Sequence, residues 1–328
     1  MRRRTALTLP ALLLPSLLPG LATPARAAEF PDRPLRMIIP FTAGGSNDIV
    51  GRLVAEHMSN HLGQTIVVEN KGGAGGLIGT DLVAKSDPDG YTFLLGGSGS
   101  FLISSLVQPN VPYDIIKDFT SIGFIGNAPN VITVNPKVPV HDMKELQALA
   151  RKSKPPMSFA TPGVGTTGHA LGAMIAQVLD VPLEFIPYRG TGPALTDVLA
   201  GRVSMITNAA APLKPHIEAG RLRAIALAAP KRSEILPDLP TTAEQGFPQI
   251  QSATWYALLG PAGVPQDRVN RLHAALNATL AEKSVQQRMI EEGVEIEPSP
   301  TPADFTKFLL EDRERWKQVV DRAGMKVE

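Results

Sequence analysis

Two stretches, Phe41-Thr42-Ala43-Gly44-Gly45-Ser46-Asn47-Asp48 and Thr161-Pro162-Gly163-Val164-Gly165-Thr166-Thr167-Gly168, decide how this chain of 328 residues folds. Each follows a short apolar run, LRMIIP at 35–40 and MSFA at 157–160. Each precedes a helical pattern, through Ile49, Val50, Leu53, Val54 and Met58 in the first case and over 168–179 in the second. Apolar strand, glycine turn and helix in that order mark a strand–turn–helix unit, and the chain contains it twice.

Working outward, further strands are expected at 65–69, 91–96, 131–135, 183–187, 203–207, 222–228 and 254–259. Helices are expected near 76–85, over 142–152 and over 191–199. Short, continuously apolar strands alternating with helices predict an α/β chain, each half a mostly parallel sheet flanked by helices. The end is helical, with Val269, Leu272, Leu276 and Leu280 on one face and Phe305, Phe308, Leu309, Trp316 and Val320 on another. Thr301-Pro302-Ala303-Asp304 supplies an N-cap, a proline at the first helical position and an acid in the first turn. Crossings near 127–130 and 249–252 let those helices pack back on the first unit. The expected lobes are residues 28–128 plus 252–328, and residues 129–251, with a cleft between them and a two-stranded hinge.

Composition narrows the function. The chain has no cysteine, which excludes disulfides, a thiolate nucleophile and Cys-ligated metals. Arg2, Arg3 and Arg4 precede an apolar stretch and Ala25-Arg26-Ala27, the pattern of a secretory signal peptide over 1–27. Cleavage there removes four of the 32 basic residues and none of the 31 acids, moving the formal charge from +1 to −3. A faintly acidic chain with no basic run argues against nucleic acid.

A helix start leaves backbone N–H groups unsatisfied and carries partial positive charge. Glycines admit a ligand close to those groups, and Ser or Thr hydroxyls add donors. Neither loop contains Lys or Arg, so the pair suits a small carboxylate better than a polyphosphate, with one loop at each end of a dicarboxylate. On this reading Gly165→Val obstructs the ligand with little loss of fold.

Some of the same residues also suggest other chemistry. Gly163-x-Gly165-x-x-Gly168 matches a dinucleotide fingerprint, but the next strand runs into Pro187-Tyr188-Arg189-Gly190 and not into the required acid. Gly96-Gly97-Ser98-Gly99-Ser100 approaches a nucleophile elbow without its closing glycine. His57 and His61 have zinc-ligand spacing, but Met58 stands where a metalloprotease has its Glu, and two solvated helix histidines are the simpler reading. His169, Tyr188, Arg189 and Asn208 stand where side chains could line the cleft, and Trp255 reads as core before contact. A cleft enzyme, either a hydrolase or a nucleotide-dependent oxidoreductase, is the alternative. No residue set supplies nucleophile, base and orienter together, so no catalytic group, metal or cofactor is expected.

At these residues the chain resembles the extracytoplasmic solute receptors of the tripartite tricarboxylate transporters, the Bug family. The landmarks include PDRPLRMIIPFTAGGSNDIVGR (31–52), VVENKGGAGGLIGTDLVAKSDPDGYTFL (67–94), PGVGTTGHALG (162–172) and IPYRGTGPALTDVLAGRV (186–203). They continue through RSEILPDLPTTAEQGFP (232–248) and TPADFTKFLLEDRERWKQVVDRAGMKVE (301–328). The resemblance implies a two-lobe, periplasmic binding protein-like fold of type II. It also implies a periplasmic monomer that closes on a small organic acid and presents it to membrane subunits, or that serves a signalling partner instead. Ligand contact is carried onto Thr42, Gly44, Ser46, Asn47 and Asp48 of the first loop, with Ser98 after the third strand. From the second half come Gly163, Gly165, Thr166, Thr167, His169, Tyr188, Arg189 and Asn208. Many relatives have an acid where Asn208 stands, so an amino-acid ligand, whose ammonium such an acid could pair, fits this chain poorly.

Overall fold

Leu35–Ile39 forms β1, buried except at Arg36, and leads through the first glycine loop into α1, Ser46–Leu62. The computed structural model describes residues 30–325, so the signal-peptide reading of 1–27 lies outside the described residues. The first half continues with β2 (Ile66–Asn70), α2 (Leu77–Ala84), β3 (Thr92–Gly97), a π-helical turn at 98–103, and α3 (Ser104–Val107). A long strand follows, β4 (Phe119–Val134). The second half runs α4 (Met143–Lys152), β5 (Met157–Thr161), α5 (Thr167–Leu179), β6 (Leu183–Pro187), α6 (Thr191–Leu199) and β7 (Met205–Ala209). After α7 (Lys214–Glu218) and β8 (Arg223–Leu227), the chain returns through β9 (Ala253–Pro261). It closes with α8 (Gln266–Ala281), α9 (Lys283–Glu291), β10 (Glu295–Ile296) and α10 (Pro302–Ala323).

The strands line up as β2-β1-β3-β9-β4-β7-β5-β6, with β8 and β10 also paired to β4. Each end of this array is parallel: β2, β1 and β3 on one side, β7, β5 and β6 on the other. The middle is antiparallel, because β9 brings the chain back between β3 and β4. β4 itself changes partners. Up to Pro129 it pairs with β9, and from Asn130 onward with β7 and β8. β4 begins well before the strand expected at 131–135; Gly123 and Gly126 interrupt the apolar pattern of residues 119–126. The strand absorbs them with register shifts at Ser121/Gly123 and Phe124/Gly126.

The helix ends follow their sequence signals. Gly63, at φ 70°, caps α1 in the left-handed conformation that costs glycine least. Thr301 and Asp304 form a reciprocal capping box at the start of α10, with Pro302 in its first turn. α10 covers one face of the sheet, where Phe305 stacks on Phe124 at 5.6 Å between ring centroids. Trp255 belongs to this core. It is 1% exposed, and its Nε1–H donates to the buried carboxylate of Asp312 at 2.8 Å. The histidines expected to be solvated are half-buried and paired. His57 Nδ1 and His61 Nε2 each meet one oxygen of Glu282 at 2.7 Å, tying α1 to the start of α9. Those bonds, His57 foremost, hold the Glu282 carboxyl below its usual range. Among the described residues no helix is long and apolar enough to cross a membrane.

Candidate functional site

The carboxyl ends of β1, β3, β5 and β7 point into one small cavity, the place where open α/β sheets bind ligands. Phe41, Thr42, Gly45, Ser46 and Asn47 supply one wall, and Pro162, Thr166, Thr167 and Gly168 supply another. Gly97 and Gly99, from the turn after β3, reach in beside them. Thr191, Asn208 and Thr254 complete the lining. Three helices, α1, α5 and α6, therefore begin at this cavity. Asp48 N–H reaches Gly45 O and His169 N–H reaches Thr166 Oγ1, but the N–H groups of the first helical residues have no intrahelical partner, and the dipoles place partial positive charge there.

No charged side chain lines the cavity. Its donors are neutral, and one of them is orphaned. Asn47 is 5% exposed, and its Nδ2 has no hydrogen-bond partner. An unsatisfied buried donor costs about 1–3 kcal/mol, so a bound acceptor would recover that cost. The cavity volume is about 30 Å³, room for about two waters.

Six of the fourteen residues expected at the site line this cavity: Thr42, Ser46, Asn47, Thr166, Thr167 and Asn208. The others are not among its lining residues, and all but Arg189 have identifiable contacts. Asp48 is a brace. Its carboxylate accepts Gly44 N–H at 3.0 Å, Arg52 Nε–H at 3.0 Å and Asn70 Nδ2–H at 2.9 Å. Burial pushes its pKa up, but Arg52, the Gly44 amide and Asn70 outweigh burial and hold it below the usual range. Gly44 is exposed and serves that bond. The Ser98 hydroxyl is spent on β9, between Ala253 O and Trp255 N–H at 3.2 Å each.

Gly163 shapes the second loop, its carbonyl accepting the Thr166 hydroxyl at 2.8 Å. Gly165 packs on α3: at φ +80°, a Cβ there would lie 2.8 Å from Ser104 Cα. Gly165→Val therefore strains the fold, against the sequence-based expectation. His169 Nδ1 accepts Gly165 N–H at 3.3 Å, and burial lowers its pKa, favouring the neutral ring. Tyr188 donates to Asp197 at 2.6 Å, and burial with that carboxylate pushes its pKa to about 12. Arg189 is exposed, with no hydrogen bond or ion pair among the described residues.

Residues missed from the sequence include Thr191 and Thr254. Gly190-Thr191 opens α6 with the same glycine-then-hydroxyl signal as the two loops, and could have been read in the same way. Thr254 has no local signal and reaches the cavity only because β9 returns between the halves. Among the described residues no cluster of three or more His, Asp or Glu could hold a metal ion.

A strand array flanked by helices, with helix starts converging on a cavity at the strand ends, is the architecture of the periplasmic binding proteins on which this chain superposes. Residues 50–325 match the model of the tripartite tricarboxylate transporter family receptor, and the chain belongs to that family. Protein BugT of Bordetella pertussis is 36% identical over 310 residues, 94% of each chain. The structure of periplasmic binding protein BugD superposes with a TM-score of 0.85 at 35% identity, covering 91% of this chain and 100% of that one. MatC from Rhodopseudomonas palustris with bound malate gives 0.83 at 30% identity, over 89% and 100%.

Proposed function

We propose that this chain captures a small organic acid by its carboxylate and delivers it, unconverted, to the membrane subunits of a tripartite tricarboxylate-type transporter. One observation carries the reading: three helix starts meet at an uncharged cavity that holds an orphaned amide donor, Asn47 Nδ2. A carboxylate satisfies all of them without a counter-charge. Hydrogen bonds to a charged group contribute about 1.5–3 kcal/mol each, so four or five reach the ~8 kcal/mol of micromolar binding after ordering losses. The malate held by a relative at 30% identity supports the same ligand class.

In this reading residues 28–128 plus 252–328 and residues 129–251 act as two lobes. β4 changes sheets at Pro129/Asn130 and β9 begins at Ala253, so the two crossings form the hinge. Opening about that hinge enlarges the cavity, and closure brings Thr166, Thr167 and Thr191 onto a ligand first held by Ser46 and Asn47. The lining carries no acid for an ammonium, which favours acids over amino acids. Removal of residues 1–27 during export places the mature monomer in the periplasm.

The test is thermal unfolding of the mature chain, refolded to strip bound ligand, against a panel of mono- and dicarboxylates. A rise in melting temperature with at least one acid is expected. No shift with any acid, alongside a shift with NAD or an ester, contradicts the reading.

A further inference from the structure

Thr167 opens α5 with its hydroxyl 2.9 Å from that of Thr254, both residues being on the cavity wall. Beyond Thr254 the bonds run inward. Thr254 Oγ1–H donates to Asn130 Oδ1 at 3.2 Å, and Asn130 Nδ2–H donates to Ser252 Oγ at 2.8 Å. Every member is buried: Asn130 is 0% exposed, Ser252 4%, Thr254 5% and Thr167 6%. Asn130 lies behind the cavity wall, where β4 passes from one sheet to the other.

A hydroxyl has one proton to give. Thr254 gives its proton to Asn130, so the proton between Thr167 and Thr254 comes from Thr167. With the Asn130 amide in this orientation, the Thr167 hydroxyl keeps its lone pairs and has no proton left to offer a ligand. Elsewhere the polarity is opposite. Asn208 Nδ2–H donates to Thr191 Oγ1 at 2.7 Å, which leaves the Thr191 proton to be given away. Asn47 Nδ2 is a donor without a partner, and the helix-start amides are donors too. A carboxylate uses those donors. An acceptor set among them is matched only by a ligand that also brings a proton.

We propose, building on the receptor reading above, that Thr167 Oγ1 accepts a ligand hydroxyl and that the site prefers hydroxycarboxylates to their deoxy counterparts. Asn130 is the positioning residue that fixes this polarity through Thr254. A buried, connected network suits the role, because in low dielectric its members hold one another's orientation. The consequence is selectivity more than affinity: a deoxy acid fits the same space but leaves Thr167 unmatched.

Calorimetric titration of the ligand-stripped mature chain tests this with matched pairs, D- and L-malate against succinate and D- and L-lactate against propionate. Within a pair that binds, the better hydroxy acid is expected to bind about fivefold to tenfold tighter, the value of one hydrogen bond. Thr167→Ser keeps the ratio and Thr167→Val brings it within about twofold. Asn130→Leu, which releases the Thr254 proton, also collapses the ratio, whereas Asn130→Asp, still an acceptor, retains it. Equal binding of hydroxy and deoxy acids by the unaltered protein overturns the inference and leaves the receptor reading standing. A ratio that survives Thr167→Val overturns it too, and one that survives Asn130→Leu overturns the positioning role. Binding of no acid at all removes the receptor reading itself, and the inference with it.

Discussion

Gly190 and Thr42 come from opposite halves of the chain and touch: a Cβ at Gly190 would overlap the Thr42 hydroxyl oxygen. Gly190 also sits at φ +138°, which L side chains rarely adopt. This contact joins the start of α6 to the first glycine loop beside the cavity. Gly190→Ala is therefore expected to hold the walls apart and weaken ligand binding by at least about tenfold, with a strain cost of about 1–3 kcal/mol. Titration calorimetry and thermal melts read the two effects separately, and unchanged affinity would show that closure does not need this contact.

Asn47→Ala is expected to lower affinity for the bound acid by about tenfold or more, the value of a hydrogen bond to a charged group. The unliganded protein should melt within about two degrees of wild type, because Asn47 Nδ2 has no partner to lose. A large fall in stability with unchanged affinity would make Asn47 structural.

Gly165→Val is expected to destabilise the chain by about 1–3 kcal/mol through its positive φ and its approach to Ser104. Chemical denaturation measures this. A fully stable Gly165→Val protein that merely fails to bind would restore the expectation drawn from sequence.

Asp48 should make stability acid-sensitive. Its folded pKa is lowered, so its contribution is complete above the unfolded carboxyl value of about 3.9 and is lost as pH falls through the lower folded value. Between pH ~4 and ~2 the wild-type melting temperature should fall more steeply than that of Asp48→Asn. Parallel slopes would mean that the Gly44 and Arg52 bonds do not stabilise the ionised form.

Intrinsic tryptophan emission should change little on ligand addition, since Trp255 and Trp316 are 1% and 0% exposed, Trp316 being a residue of α10 itself and Trp255 lying in the same core. A large shift in emission wavelength would place one of them at a moving boundary.

Much of this fold was legible because its outer strands are short, apolar and followed by glycine. β6 and α6 fall where the pattern put them, and the capping box at Thr301 fixes the start of α10. β4 was half-read because its glycines are absorbed by register shifts that depend on β9, a partner more than a hundred residues away. The site divided similarly. Ser46, Asn47, Thr166 and Thr167 follow from the rule that helix starts need acceptors. Asp48, Ser98 and His169 belong to the same segments, but which partner each side chain takes is decided in three dimensions. Asp48 finds Arg52 and Asn70, Ser98 finds β9, and Tyr188 finds Asp197. Thr254 enters only through topology.

A crystal structure of the mature chain with a bound organic acid tests the central claim most directly. The account predicts a carboxylate among the first-turn N–H groups of α1, α5 and α6, within hydrogen-bond distance of Asn47 Nδ2. Density for the acid elsewhere, for instance in the open groove between 231–235 and 277–298, with the helix starts untouched, would contradict it.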